Sequence, residues 1–252
     1  MKLLLKLVWV EAKLFVREPL SMIFTFAFPL FMLVVLAGVF GNEIDVSDPE
    51  DLKAWRRVGP MDYYAPAYVG LVMASIGLIA LPLRLAGYRE NGVLRRFRAA
   101  GLSLLTVIGS QVVMGLALMG IAAVGIAVLS HVLYGSITPQ SFLMVVAAYA
   151  IGTMCFVAIG VALGAVLPTA RAAQGAGVTL FFAMMMLSGA GPPRAVLTTP
   201  MRWFGDALPL THVVLALQTP WLGYGWDTWG ATFAALFAIG ASAVALRFFR
   251  WE

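Results

Sequence analysis

Residues 104–130 read LLTVIGSQVVMGLALMGIAAVGIAVLS, 27 consecutive positions without a lysine, arginine, aspartate, glutamate or histidine. At 1.5 Å of rise per helical residue the block is about 40 Å long, more than the roughly 30 Å of a bilayer's hydrocarbon core. It reads as a membrane span. Five further apolar blocks lie at 20–40, 63–83, 141–167, 174–188 and 228–246. Together they predict an all-α integral membrane protein with six transmembrane helices. Composition agrees, with 62% apolar residues, 12% charged residues and a mean hydropathy of +0.92. A soluble domain carries about twice that charged fraction.

The formal charge of +5 and a pI near 9.6 raise a nucleic-acid reading. The distribution of charge excludes it, because lysines and arginines sit in short segments flanking the blocks, as orientation signals do. Twelve of them fall on the side that includes both termini and five on the other. The positive-inside rule therefore places both termini in the cytoplasm of a multi-pass cell-membrane protein. The single cysteine, Cys155, lies inside an apolar block. That leaves no disulfide framework and no thiolate metal site.

The first 19 residues are basic and apolar, yet charges recur at Lys2, Lys6, Glu11, Lys13, Arg17 and Glu18, and no small-residue cleavage site follows. On a helical wheel Lys2, Lys6, Lys13 and Arg17 share one face, and Leu3, Leu4, Leu7, Leu14 and Phe15 the opposite one. This pattern describes an amphipathic helix lying along the membrane. Glu11 and Glu18 fall on its apolar face and are expected to meet other protein. Pro19 ends the helix.

Catalytic signatures are missing. No Gly-Lys dipeptide occurs, so no phosphate-binding Walker A loop can form, and neither a His-Glu-x-x-His helix nor a Gly-x-Ser-x-Gly elbow is present. The spans carry hardly any ionisable residue at mid-depth, where ion-coupled transporters place them. An energy source outside this chain and an apolar pathway are the expectation. Candidates for its lining are Phe156, Phe181, Phe182, Met184, Met185 and Met186, for which lipid contact or helix packing is the plainer alternative. The apolar spans and modest size favour a hydrophobic drug-like or lipid-like cargo over a long glycan, and no ring of lysine or arginine suggests an anionic one.

Two connections are too structured to be simple loops. Residues 84–103 contain an Asn91-Gly92 turn signal and then a short basic helix over 93–100. Leu94 and Phe97 share a face of that helix and, with the arginines, suit a groove on a cytosolic partner, or else a membrane-surface anchor. Residues 189–227 are apolar, aromatic and broken by prolines. Pieces at 201–208 and 212–219 are too short to cross a bilayer and are expected to be re-entrant or interfacial helices.

Three sets of residues carry a resemblance. They are Arg17-Glu18-Pro19; Arg89-Glu90-x-Gly92-x-Leu94-Arg95 followed by Gly101-Leu102-Ser103; and Leu187-Ser188-Gly189 with Pro200-x-x-Trp203 and Leu208-Pro209-Leu210-Thr211-His212. In order and spacing the chain resembles a permease of the ABC type-2 exporter family, which includes daunorubicin-type drug exporters and cell-surface polysaccharide exporters. It departs from the family pattern at Gly101, where a proline is usual, and at Ala190-Gly191-Pro192-Pro193, where an aromatic and a proline usually follow Ser-Gly.

The resemblance implies a connecting helix over 1–19 and a six-helix domain over 20–252, with a coupling region at 84–103 and re-entrant helices at 189–227. It implies a pair of permease subunits with separate cytosolic ATPase subunits, which bind ATP and Mg while this chain binds no cofactor. It implies coupling through Glu11, Arg17, Glu18, Arg89, Glu90, Gly92, Leu94, Arg95, Arg96 and Phe97. An outer gate would comprise Pro192, Pro193, Pro200, Trp203, Pro209 and His212, for which a structural cap is the alternative. Export of a glycan or lipid, or secondary transport, stay open as other readings.

Overall fold

The computed structural model describes residues 2–249. The side chains of Lys2, Leu3, Leu4 and Lys6, and the whole of Arg250, lie outside the described residues.

Helix α1 (Lys2–Val16) ends three residues before Pro19. Proline, whose missing N–H costs nothing in a first helical turn, then opens α2. That helix runs through Pro19–Met22, a π-helical turn at Ile23–Ala27, and Phe28–Phe40. A short helix α3 (Pro49–Ala54), capped by the Asp48 carboxylate on the Glu50 N–H, stands in the first connection. Helix α4 (Pro60–Glu90) contains a second π turn at Ile76–Ala80. Next come α5 (Val93–Ala99), α6 (Leu104–Tyr134), α7 (Phe142–Val166) and α8 (Ala170–Ser188). The polar-poor final connection folds into a 3-10 turn (Arg194–Val196), α9 (Thr199–Asp206) and α10 (Pro209–Trp221), before α11 (Thr228–Phe248) ends the bundle.

Six of these helices are long and apolar enough to cross a membrane: the 23–40 part of α2, α4, α6, α7, α8 and α11. No strand occurs among the described residues. The chain is an all-α, multi-pass membrane protein. One boundary needs correcting. The second span does not stop at 83; it continues through Arg84 to Glu90, so the basic stretch begins as the last turns of a membrane helix. Hydropathy alone ended the span at its first charge, which tertiary partners in fact satisfy.

Helix α4 is the shaft of the bundle. In its most apolar window 94% of residues are buried within this chain, against 18–44% for the other five spans. It packs against α2, α6, α7, α8 and α10. Glycines allow the approach: a Cβ on Gly77 would collide with the Phe156 backbone of α7, and one on Gly177 of α8 with the Leu78 carbonyl. Small residues at crossings are the usual means of close packing where lipid supplies no hydrophobic drive.

Candidate coupling and substrate sites

At one end of the bundle, Gly92 adopts a left-handed conformation (φ 68°) and turns the chain from α4 into α5. Leu94 is buried, and the Phe97 ring meets Tyr88 edge-on with centroids 6.0 Å apart. Arg95, Arg96 and Arg98 are exposed. The expected docking face of mixed leucine, phenylalanine and arginine is therefore divided. Its apolar half fastens α5 to α4, and its cationic half, including Arg98, points away from the chain.

Arg89 and Glu90 also work within the chain. Arg89 donates from Nη1 to the Ala165 carbonyl (2.7 Å) and from Nη2 to the Leu167 carbonyl. Glu90 Oε2 accepts from the Ala170 N–H (2.9 Å). A cation thus sits at the C-terminus of α7 and an anion at the N-terminus of α8, each matched to the helix dipole. The pair clamps the turn joining the two spans.

Glu11 is fully buried. Its Oε2 accepts from Arg84 Nη1 (2.9 Å) and its Oε1 from Gln111 Nε2 (2.8 Å), which ties α1 to α4 and α6. Glu18 lies 3.8 Å from Arg84 Nε, and the Arg84 guanidinium stands over the Phe15 ring at 5.5 Å. Glu11 faces protein as expected, but the protein is its own chain, so it holds α1 in place and cannot touch a partner; Arg17 is exposed beside it. Arg84 and Gln111 escaped sequence reasoning. Their signal was a cation and an amide continuing apolar blocks, where a polar side chain turns inward to a partner.

At the opposite end, the six expected gate residues separate into three places. Pro192 and Pro193 border a cavity of about 510 Å³, lined also by Met185 and Met186 of α8, Met32, Leu36 and Phe40 of α2, Trp55, and Tyr64 and Tyr68 of α4. Pro200 and Trp203 lie exposed on α9. Pro209 and His212 are buried in α10. His212 Nε2 donates to the Asp206 carbonyl (2.8 Å), since a carbonyl can only accept, and Thr211 Oγ donates to the Gly205 carbonyl (2.6 Å). Both caps hold the end of α9. The imidazole stacks on Phe233 at 3.8 Å between centroids. These contacts fit the structural-cap alternative.

The expected pathway residues divide as well. Phe156 is entirely buried against α4, so it packs the core and lines no path. Met184 is buried too. Phe181 and Phe182 form an aromatic cluster with Phe24 and Phe28 of α2, at centroid separations of 5.5–6.0 Å. Met185 and Met186 reach the cavity.

A second cavity, about 330 Å³, adjoins the first at Ala54. Lys53, Arg56, Arg194 and Arg202 all line it. Four cations that no stretch of sequence groups thus line one cavity. These residues span 150 positions, and only folding brings them together.

The model of one family, ABC-2 type transporter, matches residues 2–220, from α1 to the last turn of α10. A search of curated proteins found no match. The match takes in five of the six spans, the clamp at Arg89 and Glu90, and the capped helices α9 and α10. The chain belongs to the ABC-2 type transporter family and is a membrane permease component of an ABC-type transporter.

Proposed function

We propose that the chain is the permease of an ATP-driven exporter. It moves a hydrophobic drug-like or lipid-like molecule outward across the cell membrane, as a pair of permease subunits powered by separate cytosolic ATPases that bind ATP and Mg. Both termini and α5 face the cytoplasm, as the distribution of lysine and arginine indicates. Helices α9 and α10 then lie at the outer face. At 13 residues and about 20 Å, α10 is too short to span the bilayer and enters it from outside.

The observation that carries this reading is the two-sided build of α5. Its arginine face is open to a partner, while Leu94, Phe97 and the neighbouring clamp fix the other side to α4, α7 and α8. A force applied to Arg95, Arg96 and Arg98 would reach the spans through these contacts. The apolar cavity, bordered by aromatics and methionines, suits a hydrophobic cargo.

Purification in mild detergent with mass spectrometry should recover a stoichiometric partner bearing a Walker A motif. In that reconstituted complex, Arg95→Glu with Arg96→Glu should lower transport-coupled ATP hydrolysis while insertion is retained. Unchanged coupling would remove α5 from the proposal.

A further inference from the structure

The cationic cavity lies between the first and last connections of the bundle. Lys53 comes from the end of α3, Arg56 from the turn after it, Arg194 from the 3-10 turn and Arg202 from α9. Arg56 and Arg57 both adopt left-handed backbone (φ 55° and 64°), which is rare for side chains of this size. Strained backbone of this kind persists where surrounding structure enforces it, and it clusters at functional sites. Here Arg56 Nη1 donates to the buried Gln218 (3.1 Å) and its guanidinium stands over Tyr224 at 5.5 Å.

The charges of this cavity are not balanced within the chain. Arg194 pairs through Nη2 with Asp206 (2.5 Å), the one carboxylate that ion-pairs with any of the four among the described residues. Arg194 Nη1 is buried and has no hydrogen-bond partner. Arg202 spends Nε and Nη2 on the Leu197 and Ala195 carbonyls, which fixes its fork in place. Four cations that share one paired carboxylate repel one another, and a buried donor without an acceptor is costly. A multivalent anion removes both penalties, and guanidinium forks match phosphate oxygens.

The neighbouring cavity supplies the other half of the ligand's chemistry. It is apolar and aromatic except for Asp51, shares Ala54 with the cationic one, and receives Pro193 and Val196 from either end of the turn that gives Arg194. The rings of Tyr63 and Tyr64, one lining each cavity, stand 5.3 Å apart.

We infer that Lys53, Arg56, Arg194 and Arg202 form a phosphate-binding site, which holds the headgroup of an anionic amphiphile whose apolar part occupies the adjoining cavity. The inference rests on the proposed function only for placing the site at the outer face and for relating the ligand to the cargo. The site itself is a property of this chain.

The test uses the full-length protein alone, in phosphatidylcholine nanodiscs at low ionic strength. Dioctanoyl phosphatidate, dioctanoylglycerol and inorganic phosphate are titrated separately and read by native mass spectrometry and calorimetry. Phosphatidate should bind saturably and dioctanoylglycerol should not compete. Arg194→Gln should weaken binding about fivefold or more, the Coulomb value for one charge lost at 4 Å even in bulk water. Asp206→Asn removes the competing carboxylate and should tighten binding by a similar factor. Lys53→Gln, on an exposed residue, should weaken binding even if Arg194→Gln fails to fold.

Phosphatidate binding without inorganic phosphate binding identifies a lipid source. Equal occupancy by inorganic phosphate upholds the phosphate site and overturns the amphiphile. Equal binding of dioctanoylglycerol overturns the site, as does a common direction of change in Arg194→Gln and Asp206→Asn, or no change in both. No ATPase is present in this assay, so its failure leaves the exporter reading intact, and failure to recover an ATPase leaves this binding intact.

Discussion

Replacing Glu11 by alanine removes the carboxylate that holds α1 against the bundle. The side chains of Arg84 and Glu11 are 4% and 1% exposed, so Arg84 would keep its charge out of water with Glu18 at 3.8 Å as its nearest anion. Breaking a buried pair from one side costs about 3–5 kcal/mol. Gln111 also loses its acceptor, a further cost of about 1 kcal/mol, while approach of the partly exposed Glu18 offsets some of the total. A net loss of about 3 kcal/mol multiplies the opened population by roughly 150. The sole cysteine, Cys155, is buried in α7 and reports it. Its alkylation by a maleimide in increasing denaturant gives an opening midpoint without any engineered label. Glu11→Ala should shift that midpoint far below the parent. Glu11→Leu with Arg84→Met removes both charges and should recover most of the loss, as apolar replacement of buried pairs often does. A Glu11→Ala shift under about 0.5 kcal/mol, the range of ordinary surface substitutions, or simple additivity in the double variant, would refute the account.

The clamp predicts that Glu90→Ala, by loosening the start of α8, exposes the α7–α8 turn to trypsin at the nearby exposed Arg171; an unchanged cleavage rate in inside-out vesicles would count against it. Gly177→Ala drives a Cβ into the Leu78 carbonyl and should cost about 1–3 kcal/mol in the Cys155 assay, the usual penalty for overpacking. Gly175→Ala, two residues away in open space, should be neutral or stabilising by up to about 1 kcal/mol through helix propensity, so equal behaviour of the two would dismiss the packing argument. His212→Ala leaves the Asp206 carbonyl without its donor and should destabilise by about 1 kcal/mol or more, whereas a gating role would change transport with stability intact.

Span number, the α5 helix and the short outer helices were legible because each depends on local signals: uncharged length, a glycine turn, prolines at helix starts. The roles of Arg84, Arg89 and Glu90 were not. In sequence they are charges beside apolar blocks, indistinguishable from orientation signals, and their partners lie 73–80 positions away. Phe156 failed for a related reason. A phenylalanine in a span packs core, lipid or path alike, and the deciding fact is that Gly77 of another helix lies against its backbone. Lys53 and Arg56 were dispersed from Arg194 and Arg202 by most of the chain, so no window contains the cluster they form.

Helix α4 joins these sites physically. Its first turns carry Tyr63, Tyr64 and Tyr68, which line the outer cavities, and its last turns carry Arg84, Arg89 and Glu90, which fasten α1, α7 and α8. The 31 residues from Pro60 to Glu90 amount to about 46 Å of helix, buried from its start to Pro82 and half-buried to exposed in its last turn. A shaft packed on all sides does not bend continuously; close-packed interfaces move between discrete arrangements. Displacement of α5 by an ATPase would therefore shift the coupling end and the tyrosine-lined end together, unless the π turn at Ile76–Ala80 relaxes between them. Such turns are common at functional sites because they absorb a register change within a helix. For ATP to drive export through this shaft, it must favour one arrangement over the other, and an amphiphile bound at the tyrosine end must do so in the opposite sense. Occupancy of the outer cavities and ATP binding are then reciprocally linked, so phosphatidate should lower the apparent ATP affinity of the complex by the same factor by which ATP weakens phosphatidate binding. A factor of one, with neither ligand changing the affinity for the other, would mean that the two ends do not share one equilibrium, and α4 would lose its place as the connecting element.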